Sequence, residues 1–299
     1  MIRLFFIALL AIFATGSLIY HIYNERKRLL LSIPTLIGAA FIIGFAPWYL
    51  CAVGFILMLL PLFWKTSYGN IMDSCMIGAI MASLFFYELY SLYHIPWLIL
   101  IGILMAIVIC FLAVLGILQE DIKKFIILSN IIQFLFVFLD ISVAKATGKL
   151  ATLGTIQILN YAIVGTLFFL ALGMISNSMG WISSLRGLYY RYPVNGFALI
   201  IAGISLAGVP GLNIFISEWL LFKTAFALSP IITVAGIFAA LLLFIMYIKF
   251  AYILLAGEVL EKEHSPMPSK AYNVILSVTC FVIGIIPWIQ FKLLEAVFG

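Results

Sequence analysis

The sequence predicts an all-α polytopic membrane protein with about ten transmembrane helices, because both its composition and its apolar runs lie outside the soluble range. Of the 299 residues, 66% are hydrophobic and 9% are charged, and the mean hydropathy is +1.27. Soluble domains carry about a quarter charged residues. Apolar runs long enough to cross about 30 Å of hydrocarbon follow one another along the whole chain.

These runs predict a single transmembrane domain over residues 1–299. Within it, 1–64 hold the first spans, 71–256 form a core and 270–297 form a C-terminal span. Short polar linkers separate the runs. The predicted spans are 3–21, 29–45, 47–64, 71–92, 95–117, 124–143, 153–175, 194–228, 230–256 and 270–297.

The charged residues and the cysteines narrow the class of function. The formal charge is +5, but the basic residues lie in short linkers without a basic stripe beside aromatic residues, which indicates topology signals rather than nucleic-acid binding. The four cysteines lie in apolar runs without paired spacing and are expected to be reduced. No metal cluster, cofactor-binding loop or catalytic centre of its own is recognisable. Redox chemistry, where associated, is expected to belong to partner subunits.

The segment 194–228 is too long for one straight span, and Pro210 and Gly211 divide it. It forms either two crossings or one crossing by a broken helix. A single broken crossing leaves most Lys and Arg residues on one side of the membrane, so the positive-inside rule favours that reading, with both chain ends on the other side.

Glu218 follows this break within an apolar stretch, and the combination predicts ion movement. A break at membrane depth frees backbone groups that lipid cannot satisfy, and half-helix ends carry partial charges that attract ions. The alternative is a proline kink with a hydrogen-bonded acid. Lys249, in the next span, is the better partner for Glu218, either in a proton-carrying pair or in a static salt bridge. Lys223 is a further candidate for ion translocation with Glu218 and Lys249, although it points about 140° away from Glu218 on the same helix.

Other polar residues in the spans are interpreted by position. Glu88 and Asp140 lie near predicted span ends and are expected at the membrane interface, and a structural role is expected for His21. Polar side chains within spans serve as interhelical contacts or as members of a water chain, and the sequence leaves both open. Candidates for such a water chain are Gln133, Gln157, Tyr161 and Ser83.

Four stretches, in order, resemble motifs of one membrane family. They are "LQEDIKKFIILSNIIQF", "GTIQILNYAIVGTLFFLALG", "SSLRGLYYRYP" and "ALIIAGISLAGVPGLNIFISEWLLF". They are similar to the antiporter-like subunits of respiratory complex I, of membrane-bound energy-converting hydrogenases and of multi-subunit cation/proton antiporters. The resemblance covers residues 115–256 and implies a broken helix with an essential Glu or Lys at the position of Glu218.

Upstream, the chain departs from this family. The resemblance implies lysines where Ile56 and Ser83 stand and a histidine where Tyr161 stands. Fewer spans precede the stretch "ILMLLPLFWKTSYGN" than in the family, so the chain resembles an N-terminally truncated, degenerate member.

The resemblance implies a membrane-arm subunit of a complex I-like oxidoreductase in an energy-transducing membrane, cytoplasmic or organellar. Its partners would be the lipid bilayer, other membrane-arm subunits and, through them, hydrophilic iron–sulfur subunits. The subunit would contribute to H⁺ or Na⁺ translocation by a partly lost pathway. The alternatives are a purely structural or assembly subunit and a secondary transporter unrelated to this family.

Overall fold

The chain folds into α-helices. The computed structural model describes residues 1–25, 29–54, 56–58, 67–93, 97–150, 153–175, 180–257 and 266–298. Over these ranges no β-strand forms beyond an isolated bridge between Asp121 and Trp181. The all-α class predicted from the sequence is therefore confirmed.

The helices follow one another with short connections. The first six are α1 (Ile2–Asn24), α2 (Leu29–Phe45), α3 (Tyr68–Leu92), α4 (Leu98–Leu118), α5 (Ile122–Ala146) and α6 (Leu153–Ile175). The remaining ones are α7 (Pro193–Leu206), α8 (Asn213–Leu228), α9 (Pro230–Leu255), α10 (Met267–Ile285) and α11 (Trp288–Phe298). Short 3-10 helices cover Trp48–Ala52 and Ile182–Leu185, and one helical turn covers Leu188–Arg191.

Most of these helices have the length and composition of membrane spans. In the described part of the chain, seven helices, namely α1, α3, α4, α5, α6, α9 and α10, are long and apolar enough to cross a bilayer. Three shorter apolar helices accompany them over Ser32–Phe45, Trp48–Met58 and Pro193–Leu206. This agrees with the predicted number of about ten.

Helix α6 lies at the centre of the bundle. Its sequence carries no charged residue and is apolar or small on all sides, which is typical of a helix buried all round. Every one of its residues is buried, and it packs against α1, α3, α5, α7, α8 and α10. Any polar side chain on α6 is therefore enclosed by protein.

Helices α4 and α9 lie at the periphery and pack on each other. Large apolar side chains such as Leu104 and Phe111 on α4 and Phe238 and Leu241 on α9 are exposed. A face of this kind is stable only against hydrocarbon or another protein, so these helices form a membrane-facing side of the bundle.

The C-terminal span differs from its prediction. Residues 270–297 were expected to form one continuous span, but α10 ends at Ile285 and α11 begins at Trp288. Pro287 lies in the interruption. Its missing N–H and its ring prevent the helix from continuing, and Ile286 adopts φ −117° and ψ 71°.

Candidate functional site

The interruption between α7 and α8 covers residues 207–212. Its first half is a Schellman motif, because Val209 N–H donates to Ile204 O at 3.2 Å and Gly208 N–H donates to Ser205 O at 3.0 Å. Gly208 adopts φ +70° there, a left-handed conformation that glycine reaches without steric cost. The helix therefore ends at Leu206, with Gly208 just beyond its C-cap, and the helix break predicted at Pro210-Gly211 is confirmed.

Gln133 of α5 repairs the hydrogen bonding that Pro210 breaks. In a continuous helix the N–H of residue 210 would donate to Leu206 O, but proline has no N–H. The Gln133 Nε2 group donates to Leu206 O instead, at 3.2 Å. Gln133, a water-chain candidate in the sequence, is thus an interhelical donor to the break, while its Oε1 has no hydrogen-bond partner among the described residues.

Glu218 places its carboxyl group against this break. It lies on α8 and is 4% exposed. A methyl group built at Gly208 would collide with Glu218 Oε2, so the carboxyl group folds back onto the left-handed turn. Its other oxygen, Oε1, has no hydrogen-bond partner in the described part of the chain. An acid with a free acceptor is thus held at an interrupted helix inside the protein.

Tyr247 extends the polar group next to Glu218, and sequence reasoning missed it. Its hydroxyl lies 2.5 Å from Ser129 Oγ, and it is close enough to Glu218 for the two side chains to interact electrostatically. The signal in the sequence was weak, because a tyrosine within an apolar helix resembles a core residue.

Neither lysine predicted near Glu218 pairs with it. Lys249 is exposed, and its Nζ donates to Ile117 O at 2.6 Å, so the expected Glu218–Lys249 pair is not formed. Lys249 reaches Ile117 O because α9 packs on α4 and the flexible side chain extends to the C-terminal end of that helix. Lys223 is exposed on α8.

The remaining water-chain candidates lie in the core but do not form one chain. The Tyr161 hydroxyl donates to Asn130 Oδ1, and Asn130 Nδ2 donates to Cys75 O at 3.3 Å. Ser83 Oγ donates to Ala79 O of its own helix at 2.7 Å. Gln157 is fully buried, and neither of its amide atoms has a hydrogen-bond partner among the described residues.

A second proline break, between α10 and α11, packs directly on the first one. A methyl group at Gly284 would lie 2.5 Å from Gly211 O, so the two backbones touch where a side chain cannot fit. Gln290 Nε2 donates at 3.2 Å to Ile283 O, the carbonyl that would have bonded residue 287 in a continuous helix. At both breaks, a glutamine amide thus donates the hydrogen bond that the proline cannot.

An amide cluster joins the two breaks. Asn213, the first residue of α8, accepts from Ser205 Oγ at 2.6 Å and donates to Asn160 O at 3.1 Å. Asn160 Nδ2 in turn donates to Gln290 Oε1 at 3.1 Å. The cluster fixes both interrupted helices to the central helix α6.

Asp140 corrects a further expectation. It was expected at the membrane interface, yet it is 2% exposed and its Oδ2 has no hydrogen-bond partner among the described residues. The reason is that α5 continues to Ala146 and is enclosed over this stretch by α3 and α6. Glu88 is half-buried and pairs with Arg3 at 3.3 Å, as suits a residue near a span end.

The region of Ile56 and Pro61 is described only in part. Residues 59–66, which include Pro61 of the stretch "ILMLLPLFWKTSYGN", lie outside the described residues. Ile56, one of the positions where the resemblance implies a lysine, is exposed. Within the described ranges, no group of three or more His, Cys, Asp and Glu side chains is placed to hold a metal ion.

Two known proteins with related sequences are named as components of an NADH-quinone oxidoreductase and of a hydrogenase. The chain is 27% identical over 174 residues to NADH-quinone oxidoreductase subunit N of Rhodobacter capsulatus, covering 58% of this chain and 36% of that protein. It is 28% identical over 116 residues to the hydrogenase-4 component F homolog of Methylacidiphilum infernorum, covering 38% of this chain and 24% of that protein. The chain thus spans well under half the length of either relative.

A solved structure has the same fold. A chain of the membrane-bound sulfane sulfur reductase, an archaeal respiratory membrane complex, aligns with a TM-score of 0.78 at 17% identity, over 95% of this chain and 64% of that one. The model of the family described as "NADH:quinone oxidoreductase/Mrp antiporter, TM" matches residues 65–244. That match overturns the alternative of a transporter unrelated to this family. The chain belongs to the NADH:quinone oxidoreductase/Mrp antiporter family and is a multi-pass integral protein of an energy-transducing membrane.

Proposed function

We propose that the chain is an antiporter-like subunit in the membrane arm of a complex I-like oxidoreductase, either a quinone-reducing dehydrogenase or an energy-converting hydrogenase. In this assembly Glu218 exchanges a monovalent cation, H⁺ or Na⁺, at the break between α7 and α8. The observation that carries the proposal is the buried Glu218 carboxyl group, folded onto the left-handed turn at Gly208 with Oε1 unpartnered among the described residues.

A carboxyl group in the interior of a membrane bundle without a compensating cation is expensive, and such groups mark ion pathways. Here the two ends of interrupted helices supply the compensation. The N-terminal end of α8 favours the ionised carboxylate, while the C-terminal end of α7 favours an arriving cation. A group balanced in this way can bind and release an ion without a permanent partner.

The partner proposal follows from the relatives. Their names place them in NADH-quinone oxidoreductase and hydrogenase-4, and we extend that setting to this chain. Its partners would be other membrane subunits and, through them, hydrophilic iron–sulfur subunits. Extraction in mild detergent should recover such subunits with the chain. Recovery of the chain alone under conditions that preserve related assemblies would contradict the proposal.

A structural subunit is the second candidate, and one set of positions favours it. Ser83 and Tyr161 stand where the resemblance implies titrating side chains, and the hydroxyl groups of both donate hydrogen bonds to acceptors within the core. Ile56 cannot titrate at all. On this reading the chain holds its neighbours in register, and ion movement takes place in other subunits.

The substitution Glu218→Gln separates the two candidates. It preserves side-chain volume and removes the exchangeable charge, so the assembly should form while ion translocation per electron falls by at least about tenfold. The measurement is ion uptake by vesicles that contain the intact assembly, in the presence and absence of Na⁺. The matched control is Glu295→Gln, because the Glu295 side chain is 62% exposed on α11 and pairs with Lys292, a similarly exposed residue, at 2.9 Å. Normal translocation by an assembled Glu218→Gln variant would establish the structural role instead.

A further inference from the structure

A second buried group of titratable side chains lies between α1 and α3, on helices that are not interrupted. Ser17, His21 and Glu25 are spaced four residues apart at the end of α1 and therefore share one face. Asp73 of α3 faces them. Ser17 Oγ donates to Asp73 Oδ1 at 2.6 Å, and His21 Nε2 lies 3.0 Å from Asp73 Oδ2. We call these four residues the α1–α3 cluster.

The two nitrogens of the His21 ring face two different carboxyl groups. Nε2 contacts Asp73, whereas Nδ1 lies 3.8 Å from Glu25 Oε2 and has no hydrogen-bond partner among the described residues. A neutral imidazole carries one proton, and both nitrogens carry one in the imidazolium form. With Nε2 bonded to Asp73, the ring can accept a second proton at Nδ1, on the side of Glu25.

Accessibility decreases along the cluster from one end of α1 inward. The side chain of Glu25 is 17% exposed, that of His21 is 1% exposed, and Ser17 is fully buried. Beyond Ser17, the hydroxyl of Ser32 on α2 lies 3.3 Å away. The groups thus form a series of proton donors and acceptors from the partly exposed helix end into the bundle, with a gap of 3.8 Å between Glu25 Oε2 and His21 Nδ1.

The neighbouring helices fix the ring rather than crowd it. Gly69 leaves the space that the imidazole occupies, since a methyl group there would collide with His21 Cε1. Ser67, the N-cap of α3, donates to Glu25 Oε2 at 2.9 Å. Among the described residues, further titratable groups beside the ring are Tyr20, which packs edge-on at 5.4 Å and donates its hydroxyl to Glu25 Oε1 at 3.5 Å, and Tyr68, which packs against Tyr20. On the side of α6, Gly173 packs against Tyr20 and Tyr68.

We propose that the α1–α3 cluster is a proton-transfer site of the chain, separate from Glu218. His21 takes up a proton at Nδ1 from the side of Glu25 and releases the Nε2 proton to Asp73, so that one proton is bound and one is passed on. Either of the two carboxylates can balance the positive charge of the imidazolium form, so the ring can hold the second proton without leaving its charge unpaired in the bundle. The proposal rests on the proposed translocation function and supplies it with a second exchange point.

The test uses the intact assembly in vesicles and the variants His21→Gln and Asp73→Asn. Each keeps hydrogen-bonding capacity but cannot carry the transferred proton, so proton translocation per electron should fall by at least about tenfold. Asp73→Glu, which keeps the acid, should restore part of it. The structural control is Tyr68→Phe, which removes a buried hydrogen bond to Phe169 O of 2.7 Å beside the cluster and should leave translocation unchanged.

Failure of this inference is distinguishable from failure of the proposed function. If Glu218→Gln abolishes translocation while assembled His21→Gln translocates normally, the cluster is structural and the inference is overturned. If His21→Gln abolishes translocation and Glu218→Gln does not, the cluster stands and the role of Glu218 falls. If both variants translocate normally, both proposals fail.

A measurement on a protein that keeps the α1–α3 cluster covers the case in which the variants do not assemble. With His94 and His264 replaced by glutamine and the histidine of this subunit labelled isotopically, so that the label lies on His21, infrared difference spectra taken during turnover should show histidine and carboxylic-acid bands changing together. Histidine bands that change without any carboxylic-acid band, or that do not change, would overturn the transfer site.

Discussion

Replacement of Gly208 by alanine tests whether the contact between the break and Glu218 matters for function. Gly208 has φ +70°, and a side chain in this left-handed region costs about 1–2 kcal/mol. In addition, the new methyl group would collide with Glu218 Oε2. Because that oxygen ends a flexible side chain, the carboxyl group will move aside at little further cost in stability. We expect a modestly destabilised, assembled protein with a displaced acid.

The matched control is Gly211→Ala in the same break. Gly211 has φ +92°, so alanine there pays a comparable backbone cost, but no heavy atom lies within 4 Å of the added methyl group. The two variants should therefore lose similar thermal stability. Only Gly208→Ala should lose ion translocation, by up to about 100-fold if the acid moves by about 1 Å.

The assay pairs thermal unfolding of the detergent-solubilised assembly with ion uptake per electron in vesicles. Stability reports the backbone strain that the variants share, and translocation reports the position of the carboxyl group. If both variants assemble and translocate alike, the contact between Gly208 and Glu218 has no functional role, and the reasoning from the break to ion exchange is refuted.

Two further predictions concern Gln133 and Lys249. The substitution Gln133→Leu leaves Leu206 O without its donor and should lower the stability of the assembly by about 1–2 kcal/mol in the thermal unfolding assay. The control Gln157→Leu removes an amide that has no hydrogen-bond partner among the described residues, so it should be neutral or stabilising in the same assay. Lys249→Met should leave ion translocation unchanged in the vesicle assay, because the exposed ammonium bonds Ile117 O and not Glu218; a large loss would restore the pair expected from the sequence.

The sequence predicted the helical membrane fold and the first break because both depend on local signals. Apolar runs report burial or lipid contact directly, and Pro210 removes a backbone donor in any context. The second break carries a similar signal at Pro287. The sequence nevertheless predicted one continuous span over 270–297, because the apolar run around Pro287 is long enough to cross the membrane. A proline within an apolar run is ambiguous, as α2 shows, because it contains Pro34 without ending there.

The contacts of the charged residues could not be predicted, because they depend on which helices are neighbours. The partners His21 and Asp73 are separated by 52 positions in the chain, and only the packing of α1 on α3 brings them together. Asp140 appeared interfacial because its neighbours were unknown. Lys249 was expected to pair with Glu218 because the sequence does not show that α9 packs on α4, whose Ile117 O accepts from the lysine.

The two helix breaks follow the same pattern of hydrogen bonding. Each proline removes the donor to one carbonyl, and each carbonyl, Leu206 O and Ile283 O, receives a glutamine amide instead. These replacements come from side chains enclosed in the bundle, so neither break depends on lipid, which could not supply them. Because protein groups satisfy the backbone of the first break, Glu218 is not needed to complete its hydrogen bonding. Among the described residues, Glu218 Oε1 has no hydrogen-bond partner. A kink serving packing alone would have no need of that acid, because the glutamines already complete its hydrogen bonding.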